Sequence, residues 1–200
     1  MIKLSKLNIS EIERNGQWND IDPEITGIET NSTRVEKGNI FLAKAGATKN
    51  SHGVLFSNQA IERGASLVIT DPEGFKFALD KDLKPTIPFL LVRNLESTFD
   101  YLCQIFYPDK PKFVMGVTGT NGKTSVVHFS QQLIEKKNNS CVTIGTLGVG
   151  GVLSLRTDNT TPDQSFIARI LQMAKLKGAN YALLEAVSYT HLTLPTKRIV

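Results

Sequence analysis

The stretch that decides the fold is Phe113-Val-Met-Gly-Val-Thr-Gly-Thr-Asn-Gly-Lys-Thr-Ser125. An apolar run leads into a glycine-rich turn, then Lys-Thr, then the helix-like segment Val126–Ile134. Those parts in that order describe a phosphate-binding loop between a buried strand and a helix. Gly119 and Gly122 let the backbone bend until its N–H groups converge on phosphate oxygens. The helix N-terminus adds free donors and a favourable dipole. Lys123 can reach the β- and γ-phosphates as the catalytic cation, and the Thr124 hydroxyl can hold Mg²⁺. Gly119, Gly122, Lys123 and Thr124 are therefore the candidate phosphate and magnesium contacts. The general P-loop spacing puts glycine five residues before Gly122, and Val117 stands there instead. A glycine turn that binds nothing is the alternative, and the strand context and the Gly-Lys-Thr run weigh against it.

Outward from this loop, short β-rich runs alternate with helix-period segments, the pattern of parallel α/β structure. Strands are expected at Ile25–Thr30, Ile40–Ala43, Leu67–Thr70, Phe89–Val92, Phe113–Thr118, Cys141–Ile144 and Tyr181–Glu185. Helices are expected near Leu55–Arg63, Leu95–Tyr107, Lys123–Lys136 and Pro162–Lys177. Leu95, Phe99, Leu102 and Phe106 share one helical face, Asn94 can cap its start and Pro108 stops it. Thr161-Pro-Asp-Gln reads as a capping box for the last helix, and Gly178 as its stop. Asp71–Pro88, charged and carrying Pro72, Pro85 and Pro88, reads as a surface excursion. Gly145–Gly151 reads as a flexible stretch. The boundaries that follow are 1–93 for a first α/β domain, 94–186 for the first part of a P-loop, Rossmann-like parallel-sheet domain, and 187–200 for a tail.

Composition narrows the function. The chain has 200 residues, 40% of them apolar and 21% charged, which excludes a disordered or collagen-like polymer. A formal net charge of +4 is too small to argue for a nucleic-acid partner. Cys103 and Cys141 are the only cysteines and form no CxxC or Cys/His cluster, so neither a disulfide scaffold nor a zinc site is expected. No apolar run approaches the roughly 20 residues that span a bilayer, and the N-terminus lacks a signal-peptide core. A cytoplasmic location without membrane insertion is the expectation.

Two further features carry chemistry. Glu185 ends an almost wholly apolar strand at the carboxyl edge where open α/β sheets bind ligands. A carboxylate there, beside a P-loop, can coordinate the magnesium of the nucleotide; alone it could equally be a solvent-facing strand end. Asp158-Asn-Thr-Thr-Pro-Asp163 opens the last helix, where free N–H donors can bind an anion, although on physics alone it is a good helix cap. His52 and His128 show no ligand spacing and read as packing or surface histidines.

Four stretches together resemble the Mur ligase family, and within it the MurE type. Gly116-Val-Thr-Gly-Thr-Asn-Gly-Lys-Thr124 is similar to the ATP loop of that family, which accounts for the departure at Val117. Ile144-Gly-Thr-Leu-Gly148 and Asn159-Thr-Thr-Pro-Asp163 resemble the segments that follow it. Asn31-Ser-Thr-Arg-Val-Glu-Lys-Gly-Asn-Ile-Phe41, Gly46 and Ala60-Ile-Glu-Arg-Gly-Ala65 resemble its UDP-binding domain. The resemblance implies that Thr30 and Ser32 contact the uridine end of the substrate, with Ala47, Thr48 and Lys49 nearby. It implies that Asn159, Thr160 and Thr161 hold UDP-MurNAc-L-Ala-D-Glu, that Gly119 to Ser125 bind ATP, and that Thr124 and Glu185 bind Mg²⁺. The implied activity is ATP-dependent addition of meso-diaminopimelate or L-lysine to that dipeptide precursor of peptidoglycan, through an acyl phosphate, by a monomeric enzyme. Asn31 and Thr33 stand where the family has an Asp-Ser-Arg motif, and Asn50-Ser51 stand in place of Asp-Gly.

Beyond Ala186 the family pattern of two serines, a histidine and a helix gives way to Val187-Ser-Tyr-Thr-His-Leu-Thr-Leu-Pro-Thr-Lys-Arg-Ile-Val200. That tail resembles translated sequencing-adapter read-through and is set aside, so His191 is given no role. A genuine short paralogue is the alternative. The chain is expected to lack ligase activity by itself and to expose apolar sheet surface. Rival readings are another ligase on the same ATP domain (MurF-like, cyanophycin or folylpolyglutamate synthetase) and a non-catalytic P-loop nucleotide-binding module.

Overall fold

The computed structural model describes residues 1–9, 12–14, 20–46, 51–83, 86–155 and 163–185. The chain divides into two compact units, Met1–Phe106 and Tyr107–Val200. The first opens with β1 (Ile2–Lys3), β2 (Ile12–Arg14), β3 (Glu24–Ile25), β4 (Gly27–Glu29) and β5 (Asn39–Ala43). It continues through α1 (Ser57–Glu62), β6 (Leu67–Thr70), α2 (Pro72–Asp80), β7 (Phe89–Val92) and α3 (Leu95–Phe106). Its main sheet has the order β2-β7-β6-β5-β4, with β4 to β7 mutually parallel and β2 antiparallel on the β7 edge. The small β1-β3 pair stands apart as an antiparallel ladder.

The runs Ile40-Phe-Leu-Ala43 and Leu67-Val-Ile69 are at most 1% exposed, as strands covered on both faces must be. Helix α3 buries Leu95, Thr98, Phe99 and Leu102 within this first unit, and the Lys44 ammonium lies 4.1 Å above the Phe99 ring. The Asn8 N–H donates to the Tyr101 hydroxyl of the same helix at 2.9 Å. The compact units divide after Phe106, and these interactions hold α3 to the first. The apolar face expected along α3 is present, and it packs within the first unit.

The segment Asp71–Pro88, expected as a surface excursion, contains α2. The Asp71 carboxylate accepts from Gly74 N–H at 2.8 Å and Pro72 occupies the first turn, a standard helix start. Both signals are present in the residues, but the charge around them reads as loop.

The second unit comprises β8 (Phe113–Val117), α4 (Lys123–Lys136), β9 (Cys141–Gly145), β10 (Gly148–Gly151), α5 (Gln164–Leu176) and β11 (Tyr181–Glu185). Its sheet order is β10-β9-β11-β8, with β8, β11 and β9 parallel and β10 antiparallel. Val142, Ile144, Ala182 and Leu184 form one core with Phe166, Ile167, Ile170 and Leu171 of α5, and Val114 packs against it. The alternate residues face α4, whose Glu135 accepts from the Cys141 thiol. The stretch expected to be flexible, Gly145–Gly151, is mostly a hairpin: Gly145 pairs with Gly148 around a two-residue turn. The last helix starts later than the Thr161 cap predicts. Asp163 caps it, its Oδ1 accepting from Phe166 N–H at 2.9 Å and from the Ser165 hydroxyl at 2.7 Å. Thr161 and Pro162 lie outside the described residues. Among the described residues no helix is long and apolar enough to cross a membrane.

Candidate functional site

The loop after β8 is built around two glycines. Gly119 has φ +145° and Gly122 φ +81°, both in the region that favours glycine. Gly122 is the N-cap of α4 with no side chain bonded across the helix end. The first bond of the helix ladder runs from Val126 N–H to Gly122 O at 2.9 Å. The amides of Lys123, Thr124 and Ser125 therefore stand ahead of the ladder, at the positive end of the helix dipole. Gly119, Thr120, Asn121, Gly122 and Ser125 are exposed, and Lys123 and Thr124 half-buried, so a solute can reach all seven. The Lys123 ammonium folds over the loop, donating to Gly119 O at 2.6 Å and reaching Thr120 O at 3.5 Å. A cation is thus held on the carbonyls of the loop, next to the helix-start amides that the ladder leaves unpaired, an arrangement suited to a polyphosphate.

Glu185 closes β11 at the same edge. It is in register with Val117, the last residue of β8 before the loop. Its side chain is 9% exposed, and Oε2 accepts from the Thr146 N–H at 3.2 Å and the Thr146 hydroxyl at 3.0 Å. A Cβ on Gly145 would come within 2.5 Å of Glu185 Cδ, so only glycine lets the carboxylate lie there. A carboxylate and the Thr124 hydroxyl are hard oxygen donors of the kind Mg²⁺ accepts. Among the described residues no cluster of three or more His, Cys, Asp or Glu exists. Those two donors fit a magnesium ion whose remaining positions are filled by water and phosphate.

In the first unit, Thr30 and Asn31 N–H both donate to Oε1 of the buried Glu29, at 2.9 and 3.1 Å. Asn31 Oδ1 accepts from the N–H and hydroxyl of Thr33 at 3.0 and 2.8 Å and starts a 3₁₀ turn at Ser32. Ser32 is buried, and its hydroxyl donates to Gln59 Oε1 on α1 at 2.6 Å. Thr30 and Ser32 are thus brought together where β4 ends. Ala47, Thr48 and Lys49 lie outside the described residues, as do Asn159, Thr160 and Thr161. The base of the 47–50 segment is closed by Gly46 N–H to Ser51 O at 2.8 Å and Gly53 N–H to Lys44 O at 2.7 Å.

Sequence reasoning does not single out Glu29, Gln59 or Thr146. A glutamate at a strand end and a glutamine on a helix carry no spacing signal, and Thr146 is visible only inside the Gly-Thr-Leu-Gly run. His52 is a fully buried packing residue, stacked on Phe77 with Nδ1 accepting from Val54 N–H, and His128 is exposed.

Comparison with known proteins agrees with both halves. Residues 24–98 match the model of the Mur ligase family catalytic domain, and residues 117–197 match the Mur ligase middle domain. The second match runs past Ala186, into the segment set aside as foreign. The chain is 31% identical over 192 residues to a UDP-N-acetylmuramoyl-L-alanyl-D-glutamate–2,6-diaminopimelate ligase of Bacillus velezensis, covering 94% of this chain and 37% of the relative. A second such ligase, from Clostridium acetobutylicum, is 34% identical over 175 residues, covering 84% and 35%. A solved structure of a ligase of the same name superposes with a TM-score of 0.63 at 25% identity, over 88% of this chain and 34% of that one. The chain therefore spans little more than a third of the length of the relatives it matches. With a mixed α/β fold shared with these ligases and both domain matches in their expected order, the chain belongs to the Mur ligase family.

Proposed function

We propose that this chain supplies the ATP site and the UDP-sugar site of a MurE-type ligase, which joins a third amino acid to UDP-MurNAc-L-Ala-D-Glu. The observation that carries this reading is the glycine loop capped by Lys123 beside a buried, oriented Glu185. In the reaction, a carboxylate oxygen of the D-Glu residue attacks the γ-phosphorus of ATP and ADP leaves. The resulting acyl phosphate is attacked by the amine of diaminopimelate or lysine, releasing phosphate and a proton as the amide forms. Lys123 and the amides of residues 119–125 hold the phosphates and offset the charge on the transferring group. Mg²⁺, held by Thr124 and Glu185, supplies further charge neutralisation when bound. Thr30, Ser32 and residues 47–49 take the uridine end, and Asn159, Thr160 and Thr161 the peptide end. The setting is cytoplasmic and the enzyme monomeric.

The test is a titration with a fluorescent ATP analogue. Lys123→Ala is expected to weaken nucleotide binding by at least about 10-fold, as loss of a charged hydrogen bond of about 1.5–3 kcal/mol requires. Unchanged affinity would remove the loop from the reading. A parallel calorimetric titration with UDP-MurNAc-L-Ala-D-Glu separates a ligase from a module that binds only nucleotide, since the latter shows no heat of binding.

A further inference from the structure

We infer that Thr146 is a positioning residue that fixes Glu185 as a one-oxygen ligand for a divalent cation. The inference rests on the reading of Glu185 as a metal ligand. Both donors of Thr146, its N–H at 3.2 Å and its hydroxyl at 3.0 Å, fall on the same carboxylate oxygen, Oε2. Among the described residues no donor reaches Oε1, which is left to accept from outside the hairpin.

Two donors on one oxygen do more than one donor on each. They fix the rotation of the carboxylate about its Cγ–Cδ bond and satisfy Oε2, so that a hard cation meets a single oriented lone-pair face at Oε1. An untethered glutamate loses that orientation to its own rotamer freedom.

The platform that holds Thr146 is stiff. Gly145 and Gly148 pair across a two-residue turn in which Thr146 and Leu147 are the central residues, and Gly148 adopts φ +101°. The turn grows from β9, which is hydrogen-bonded to β11, the strand that carries Glu185. Gly145 completes the fit, because a Cβ there would lie 2.7 Å from Oε1 as well as 2.5 Å from Cδ. The exposed position of Thr146 means that the hydroxyl can be removed without opening the core.

The experiment measures Mn²⁺ affinity of the full 200-residue chain by electron paramagnetic resonance, in the presence of a non-hydrolysable ATP analogue. Circular dichroism serves as the fold control. Thr146→Val keeps the β-branch and the backbone donor and removes only the hydroxyl. It is expected to weaken Mn²⁺ binding about 10-fold, the low end of what losing an orienting partner costs a metal site. Thr146→Ser restores the donor and is expected to return affinity to within about twofold of wild type. Glu185→Gln, measured alongside, is expected to lose more than Thr146→Val. Wild-type affinity in Thr146→Val with a loss in Glu185→Gln overturns the positioning role and leaves the ligand role standing. Wild-type affinity in Glu185→Gln overturns the ligand reading itself. A loss in Thr146→Val that Thr146→Ser fails to restore also overturns the inference, because the hydroxyl would then not be the group that acts.

Discussion

Asn31 shows how one amide side chain organises a turn. Its Oδ1 accepts two hydrogen bonds from Thr33, and an amide oxygen serves that turn as well as a carboxylate does. Thr33 commits its hydroxyl to the same turn. The two cysteines illustrate the opposite case, residues with reactive chemistry made inert by their surroundings. Burial pushes the Cys103 thiol up to about 12, Asp100 adding to the effect and Lys44 opposing it. Burial pushes Cys141 up to about 11, with the Glu135 carboxylate beside it raising it further. At pH 8 the thiolate fractions are then on the order of 10⁻⁴ and 10⁻³, so neither thiol should react with iodoacetamide in the folded chain. Mass spectrometry should show both modified only in denaturant; rapid labelling of the native chain would contradict this. Because the folded thiols resist ionisation, their contribution to stability is complete below the ordinary value of 9.0 and is lost as pH rises toward 11 to 12.

Among the elements, α2 gives the sharpest prediction. Gly74 sits in its first turn, where a Cβ would collide with Thr70 Oγ1 and with the ring of the buried His52. Gly→Ala in a helix ordinarily gains about 1 kcal/mol. Here the overlap outweighs that gain, because overpacking a closed core costs typically about 1–3 kcal/mol and the helix cannot retreat from β6. Gly74→Ala should lower the urea midpoint with little change in slope; an unchanged midpoint would show that the helix can shift. The elements also mark what the residues alone disclose. The strands Leu67–Thr70, Phe89–Val92 and Tyr181–Glu185 and the helix Lys123–Lys136 match the expected bounds, because continuous apolar runs and a lysine-rich helix end leave one solution. Helix α2 is hidden because its charged residues look like loop, and β10 because Gly148-Val-Gly-Gly151 has almost no side chains to show a period. The candidate site follows the same division. Lys123, Thr124 and Glu185 are legible from their places at strand and helix ends, whereas Thr146 matters through a hydrogen bond to a residue far along the chain, which no local pattern encodes.

At the scale of the whole molecule, the uneven covering of the second sheet matters most. α5 closes one face, while on the other Phe113 and Met115 of β8 are 44% and 42% exposed. Along α4, Val126, Phe129 and Leu133 form an uncovered stripe at helical spacing, with Phe129 62% and Leu133 64% exposed. Such surface favours association, so the chain should bind 8-anilinonaphthalene-1-sulfonate while keeping native circular dichroism. Phe129→Lys with Leu133→Lys should reduce that fluorescence without lowering the thermal midpoint, since neither side chain is in the core; undiminished fluorescence would place the dye elsewhere. The division into halves also gives the silent thiols a use. Cys103 belongs to the first compact unit and Cys141 to the second. Each half therefore carries its own slow-reacting reporter, and pulse alkylation along a denaturant ramp, read peptide by peptide, would time the opening of one half against the other without a single introduced label.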